Sequence, residues 1–104
     1  MASREPRDCT PFLKALSDKT RWRIVQGLLS SPHTVTEISE QLQVPQYNAS
    51  KHIRILREAG IIETEKNGKH VRCQIAGPLQ RRVGKGENQL DLGCCVFRFD
   101  SKCC

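Results

Sequence analysis

The chain has 104 residues, enough for about one domain with one modest core, and this length argues against an enzyme with a large substrate cleft. It carries 17 Lys+Arg against 11 Asp+Glu, a net charge of +6, and its pI is near 9.2. Residues 46–85 hold nine basic and three acidic residues, so all of the net charge lies in this part of the chain. We therefore expect a polyanionic partner that contacts this region.

The N-terminal stretch MASREPRDCTPF carries charges where a signal peptide needs an apolar segment, and no window approaches the roughly 18 apolar residues of a membrane helix. We expect a cytoplasmic protein with no membrane partner. In that compartment the six cysteines are predicted to be thiols, metal ligands or redox sensors rather than a disulfide framework.

Two helices are predicted first along the chain. Residues 1–11 are charged and show no hydrophobic period, so we expect a flexible N-terminal arm. A short helix is predicted from Phe12, with Pro11 just before it. Ser17 is a candidate N-cap for the second helix, where the only tryptophan, Trp22, lies on a broad apolar face and is predicted to pack in the core.

A tight turn joins the third and fourth predicted helices. Thr34 and Glu37 match a capping box at the start of a helix of about two turns, and Thr36 is the alternative cap. Pro45 favours a new helix start, and the fourth helix is predicted over residues 46–59, ending at Gly60.

From residue 61 the hydrophobic period changes to two, which predicts a β-hairpin. The stretches IIETEK and KHVRCQI flank Asn67-Gly68, the strongest short-range hairpin signal. A two-residue turn at this point gives five cross-strand pairs: Lys66–Lys69, Thr64–Val71, Ile62–Cys73, Glu65–His70 and Glu63–Arg72. In this register His70 and Arg72 lie opposite glutamates and form cross-strand charge pairs.

Beyond the hairpin, residues 77–89 are predicted to form a loop with one helical turn at 78–83. The stretch LDLGCCVFRFD is β-prone and predicts a strand that packs on the domain or on a partner. The expected fold is α+β but mainly α: a winged helix-turn-helix of about four helices and a two-stranded wing, with an extra C-terminal strand. We expect the winged domain to span residues 12–83 and a Cys-rich segment to follow at 84–104.

The fourth helix has one apolar and one polar side. At 100° per residue, Ala49, Ile53 and Leu56 fall on one side, whereas Lys51 and Arg54 fall on the other. The polar groups are concentrated in the first two turns, the half that enters a major groove when a recognition helix docks. Many polar helix faces only keep a protein soluble. The capped helix before this one, the basic hairpin after it and the local charge favour DNA binding.

Three stretches, LKALSDKTRWRIVQGLL, TVTEISEQLQV and NASKHIRILREAGIIETEKNGKHVRCQI, resemble the arsenical-resistance repressor (ArsR/SmtB) family of small dimeric bacterial repressors. The resemblance covers roughly residues 12–76 and implies a homodimeric transcriptional repressor, with the recognition helix at 46–59 and the wing at 61–75. The DNA contacts that it implies are Gln46, Tyr47, Asn48, Ser50, Lys51 and Arg54 on the helix and Lys66, Lys69 and His70 on the wing.

Three other residues in this region are predicted to stabilise the fold rather than to contact bases. His52 matches a family histidine, but it lies toward the packed side of the helix, which favours a structural role. Arg57 and Arg72 are expected to form salt bridges rather than to contact bases.

The sequence departs from the family at two places that bear on structure. Gln43 stands where the family usually has glycine, which costs about 1 kcal/mol if the residue is left-handed. Gly84 and Gly86 interrupt the segment in which family members form a long dimerisation helix. We therefore expect the dimer to use the first helix together with a strand at 90–99.

The best-known sensor sites of the family are absent: the third helix does not start with a cysteine pair, and the three histidines do not reproduce the zinc site of the last helix. Thiolates bind soft ions such as Cu(I), Zn(II), Cd(II) or trivalent arsenic, and four candidate ligands lie near the C-terminus: Cys94, Cys95, Cys103 and Cys104. A thiol redox switch and the absence of any sensor stay open as alternatives. Cys73 faces the core of the wing and is predicted to be inert.

The leading prediction is a sequence-specific regulator of transcription, a repressor that binds double-stranded DNA and responds to a soft metal, a metalloid or a thiol oxidant at the C-terminal cysteines. The alternative is a metal-trafficking or thiol-redox protein without a DNA role. An enzyme is not expected, because the sequence shows no paired carboxylates in a cleft pattern, no nucleophile with a partnering base and no zincin motif.

Overall fold

The computed structural model describes residues 9–80, 89–92 and 96–98. The helices are α1 (Thr10–Leu16), α2 (Lys19–Leu28), α3 (Val35–Leu42), α4 (Gln46–Glu58) and α5 (Gly77–Gln80). The strands are β1 (His33–Thr34), β2 (Ile62–Asn67), β3 (His70–Ile75), β4 (Gln89–Asp91) and β5 (Val96–Arg98). The helices α2 to α4 and the β2–β3 hairpin form a winged helix-turn-helix, so the predicted α+β, mainly helical fold is confirmed.

The boundary between α1 and α2 differs from the prediction. α1 begins two residues before the expected start. The prediction of Ser17 as the N-cap of α2 is wrong, because Ser17 has helical geometry at the end of α1 and its hydroxyl donates to the Lys14 carbonyl at 2.8 Å. Asp18 is the N-cap instead. It is extended, and its carboxylate accepts from the backbone N–H groups of Thr20 at 2.7 Å and Arg21 at 3.1 Å.

The turn between α3 and α4 and the end of α4 match the prediction. The capping box is confirmed: the Thr34 hydroxyl accepts from the Glu37 N–H at 3.1 Å, and the Glu37 carboxylate accepts from the Thr34 N–H at 2.9 Å. Gln43 ends α3 in the left-handed region, with φ +58°. Gly60 follows the last turn of α4 with φ +89°, as predicted for a C-terminal glycine.

The wing is part of a three-stranded antiparallel sheet in the order β1-β3-β2. The predicted turn is wrong: Asn67 pairs with His70, and the turn begins at Gly68. Gly68 has φ +66°, and a type II′ turn needs a positive φ at this first position. Every predicted partner therefore shifts by two residues, and Glu65 lies opposite Arg72. Side chains alternate between the two faces of a sheet with a period of two residues. A shift of two residues therefore leaves each side chain on its predicted face.

The strand β1 was not predicted, because two residues show no period. His33 pairs with Cys73 and Thr34 pairs with Arg72. This pairing joins the segment that caps α3 to the second strand of the wing, so the position of the wing is coupled to the helix-turn-helix.

One core lies between the helices and the sheet. Its fully buried large side chains are Val25, Leu56, Ile61, Ile62, Cys73 and Leu90. The stretch predicted as one strand at 90–99 instead contributes to two short strands, β4 and β5, which pair antiparallel. The buried Leu90 and Leu92 pack on their own domain. The Phe97 ring meets the partly buried Trp22 ring edge-on, with centroids 5.8 Å apart. None of the described helices is long and apolar enough to cross a bilayer.

Asp18→Ala should lower the free energy of unfolding by about 1 kcal/mol at neutral pH, because α2 loses its cap. Burial raises the pKa of Asp18, but hydrogen bonds from the Arg21 and Thr20 N–H groups outweigh burial and hold it below its ordinary value of 3.8. The stabilisation is therefore fully present above that value and is lost as the pH falls through the lower folded pKa.

Urea unfolding of wild type and Asp18→Ala at neutral and at strongly acidic pH measures this effect. The difference in unfolding free energy should shrink on acidification, and a constant difference contradicts the proposed cap. Ser17→Ala is the matched control and should change the free energy of unfolding by less than about 0.5 kcal/mol.

Gln43→Gly should stabilise the protein by about 1 kcal/mol, because a left-handed residue with a Cβ is strained. Gly60→Ala should destabilise it by about 1–2 kcal/mol for the same reason, although an added Cβ meets no atom within 4 Å. Gly27→Ala, inside α2 and equally free of contacts, should stabilise by about 0.5–1 kcal/mol. Urea unfolding measures all three, and a neutral Gly60→Ala would show that backbone strain is not the constraint there.

Candidate nucleic-acid interface

α4 presents the predicted recognition face to solvent. Ala49, Ile53 and Leu56 are buried and pack the helix against α2, α3 and β2. The predicted contacts on this helix are all exposed: Gln46, Tyr47, Asn48, Ser50, Lys51 and Arg54. The polar groups thus project from a helix that the core holds in place.

Two contacts position side chains in the N-terminal half of α4. The Gln46 amide donates to the Thr36 hydroxyl at 3.0 Å, which connects the start of α4 to α3. The Lys51 ammonium lies 5.5 Å from the centroid of the Tyr47 ring, within the range of a cation–π interaction. Tyr47 is 74 % exposed, so both side chains are free to move from this arrangement onto a ligand.

Arg54 follows one turn later and pairs with Glu58 at 3.2 Å. The two side chains are 71 % and 61 % exposed, and such a surface pair contributes about 0–1 kcal/mol. The pair therefore orients the guanidinium without preventing its transfer to a phosphate, because a phosphate is a strong bidentate partner for arginine.

The wing carries three exposed side chains with basic groups around its turn: Lys66 on β2, Lys69 in the turn and His70 at the start of β3. His70 also lies near the capped start of α3. The hydrogen bond from the Thr34 N–H lowers the pKa of Glu37, and the charge of His70 is among the lesser influences in the same direction.

His52, interpreted from sequence as structural, is half-buried behind the outward face of α4. Its Nδ1 lies 3.2 Å from a terminal guanidinium nitrogen of Arg21. The Nε–H of Arg21 in turn donates to the Ala15 carbonyl at 2.6 Å. Arg21 thus connects the middle of α4 to the end of α1, and this geometry supports a structural role for His52.

The predicted salt bridges of Arg57 and Arg72 are absent among the described residues. Arg57 instead donates from a terminal nitrogen to the Thr64 hydroxyl on β2 at 3.5 Å, and Arg72 is exposed on β3. The Arg57–Thr64 contact was not predicted. The spacing of Ser50, Arg54 and Arg57 at i, i+4 and i+7 places them in one row of the helix, but it gives no sign of a contact with another element.

Seven residues of interest in the sequence lie outside the described residues: the candidate metal ligands Cys94, Cys95, Cys103 and Cys104, and the basic residues Arg81, Arg82 and Lys85. In the part of the chain that the structure describes, no three His, Cys, Asp or Glu side chains are grouped to hold a metal ion. Burial raises the pKa of Cys73 to about 11, so its thiol stays protonated at neutral pH. Cys9 is disulfide-bonded.

Residues 16–65 match a family model described as a helix-turn-helix domain. The probable mercury resistance operon repressor of Streptomyces lividans is 27 % identical over 97 residues, covering 88 % of this chain and 78 % of the relative. The HTH-type transcriptional repressor SmtB of Mycobacterium tuberculosis is 38 % identical over 65 residues, covering 62 % of this chain and 48 % of the relative. The chain thus spans about half the length of SmtB.

The structural comparison agrees with the sequence relatives. The crystal structure of the transcriptional repressor BigR from Xylella fastidiosa has a TM-score of 0.61 to this chain at 31 % identity, covering 65 % of this chain and 69 % of that one. The helix-turn-helix match contains α2, α3, α4 and the first residues of β2, the elements that carry the exposed basic face. The chain belongs to the ArsR/SmtB family of winged helix-turn-helix transcriptional regulators.

Proposed function

We propose that the chain is a cytoplasmic, sequence-specific repressor that binds double-stranded DNA as a homodimer, with α4 in the major groove and the β2–β3 wing against the adjacent backbone. One observation supports this most: all nine predicted contact residues are exposed on these two elements, while the apolar sides of both elements are packed in the core.

In this proposal α4 supplies both base contacts and phosphate contacts. The amides of Gln46 and Asn48 can make bidentate contacts to adenine, which for Gln46 means giving up its bond to Thr36. Lys51 and Arg54 neutralise phosphates and release counterions, so binding weakens steeply as the salt concentration rises. The wing side chains add backbone contacts, which set the position of α4 without reading sequence.

A homodimer places two copies of α4 in successive major grooves on one face of the duplex, about 34 Å apart. Two large apolar side chains outside the core support a second copy as the partner: Leu13 on α1 is 49 % exposed and Val96 on β5 is 52 % exposed. We therefore place the dimer interface on α1 and the C-terminal strands.

Regulation is proposed to act through cysteine oxidation. Cys9 is disulfide-bonded and directly precedes α1, the helix assigned to the dimer interface. Disulfide formation transfers two electrons from two thiols to an oxidant such as a peroxide and releases two protons. An oxidised thiol does not bind a soft metal, so Cys9 in its disulfide form cannot be a ligand of a metal effector.

Replacing Lys51 and Arg54 together by alanine should abolish DNA binding at physiological salt and leave the circular dichroism spectrum unchanged, because both side chains are exposed. Because the homodimer presents two copies of each residue, the slope of log affinity against log salt should fall in magnitude by about 4. Gel shifts over a salt series measure both, with a duplex selected from a random-sequence library as the probe.

The matched control is Lys19→Ala with Arg23→Ala, which removes two exposed charges from α2 and should preserve binding. If the α4 double variant binds with wild-type affinity and slope, the face is wrongly assigned. If wild-type protein gives no salt-sensitive shift with any duplex, the metal-trafficking or thiol-redox alternative is favoured.

Reduction of the Cys9 disulfide should raise DNA affinity by about fivefold or more, the size of a typical coupling between two sites. Cys9→Ser should bind equally well with and without dithiothreitol. Fluorescence anisotropy with a labelled duplex measures both. Release of DNA from the reduced protein on addition of Cd(II) would point to a soft-metal effector instead.

A further inference from the structure

A cleft of about 180 Å³ separates α4 from the wing. Its apolar lining, which we call the floor, consists of Val35 on α3, Ile53 on α4 and Val71 on β3. Its rim is polar and consists of Ser50, Arg54, Arg57 and Thr64. The cleft thus combines an apolar base with two guanidinium groups and two hydroxyls.

The two arginines of the rim differ in their partners. Arg54 pairs with Glu58, which neutralises part of its charge. Arg57 forms no ion pair within the described residues, although it is exposed at the last turn of α4. An unneutralised guanidinium in a cleft offers its donors to an anion, and the planar fork of arginine fits a phosphate.

Arg57 also reaches from the helix toward the wing. Its terminal nitrogen lies 3.5 Å from the Thr64 hydroxyl, so the guanidinium extends from the helix to the first strand of the wing. Ser50 and Arg54 lie in the same row of α4, two turns and one turn before it. An anion bound here contacts the helix and the wing at the same time.

The chemistry of the cleft favours a nucleotide backbone over a small free anion. A phosphate oxygen bound here would meet the guanidinium and hydroxyl groups of the rim, and an attached deoxyribose would cover the apolar floor. A free inorganic anion would leave that floor unused. Lys66 lies on the same face of the sheet as Thr64, two residues nearer the turn, and extends the basic surface along β2.

We propose that this cleft binds one phosphodiester of duplex DNA together with its deoxyribose, with Arg57 as the principal phosphate ligand and Thr64 as the residue that positions it. The inference rests on the proposed DNA-binding function and deepens it. Because one phosphate contacts both elements, it fixes the angle between α4 and the wing on the duplex. Such a contact positions the protein without reading sequence.

Arg57→Gln tests the proposal, because it keeps a polar side chain of similar length and removes the charge. Its affinity should fall on the order of tenfold on a selected duplex and by the same factor on a random-sequence duplex. The salt slope should fall in magnitude by about 2, because the dimer loses one phosphate contact from each subunit. Arg57→Lys should keep the wild-type slope, because it retains the charge. Thr64→Val should weaken both duplexes with the slope unchanged.

Arg23→Gln, an exposed arginine on α2, is the matched control and should bind as wild type. Thermal unfolding establishes that each variant is folded. If Arg57→Gln keeps wild-type affinity and slope while the Lys51 and Arg54 double variant loses binding, the cleft assignment is wrong and the DNA-binding proposal stands. If wild type itself shows no salt-dependent binding, both proposals fail.

A nuclear magnetic resonance titration separates duplex DNA from free phosphate. The Nε–H signal of Arg57 should shift with a random-sequence duplex and stay unchanged with inorganic phosphate at the same phosphate concentration. An equal shift with inorganic phosphate alone would identify the cleft as a small-anion site and overturn the proposal.

Discussion

The packing of α4 on the core is the constraint on which the basic face depends. A helix of 13 residues is marginal alone in water, and its N-cap, Pro45, offers no side-chain acceptor. Burial therefore holds it: Ala49, Ile53 and Leu56 are inside, and a fully buried leucine contributes about 1.5–3 kcal/mol. The turn at Gln43 before α4 and Gly60 after it set where this rigid segment starts and stops. Because the core fixes α4 between these two ends, its exposed side chains all point to the same side of the molecule.

Weak intramolecular partners keep that outward surface ordered and available. Gln46 bonds to Thr36, Lys51 lies over the Tyr47 ring, and Arg54 pairs with Glu58. Each of these contacts is solvent-exposed and can be exchanged for a stronger one to DNA at small cost. Side chains that are already oriented lose less conformational freedom on binding. The half-buried His52 is a poorer candidate for recognition, because it already contacts Arg21 within the fold.

Local chemistry determined what the sequence could predict. The capping box at Thr34, the left-handed turn residue and the glycine after α4 each depend on neighbours within four residues, and the structure has all three. The hairpin turn was misplaced because two overlapping turns are possible: one has Asn67 and Gly68 at its centre, and the other has Gly68 and Lys69. Strand pairing along the whole wing decides between them. Both turns place each side chain on the same face of the sheet, so the faces were predicted correctly.

The features that the sequence did not predict depend on contacts between residues that lie on different elements. The strand β1 is defined by its pairing with β3, and the position of Arg57 depends on a hydroxyl seven residues away on another element. Neither has a periodic signature in the sequence. The predicted single C-terminal strand is a pair of short strands, and the burial of Leu90 depends on a surface made by the earlier helices. The exposed residues of α4 were predictable because they follow from one helical period alone.

The edge-to-face contact between Trp22 and Phe97 has a practical consequence. Trp22 is the single tryptophan of the chain, so all of its indole emission originates at the point where β5 meets α2. The intrinsic fluorescence of the unmodified molecule therefore reports on whether its C-terminal strands are seated or displaced. A spectroscopist can follow that motion in real time without attaching a dye to any cysteine.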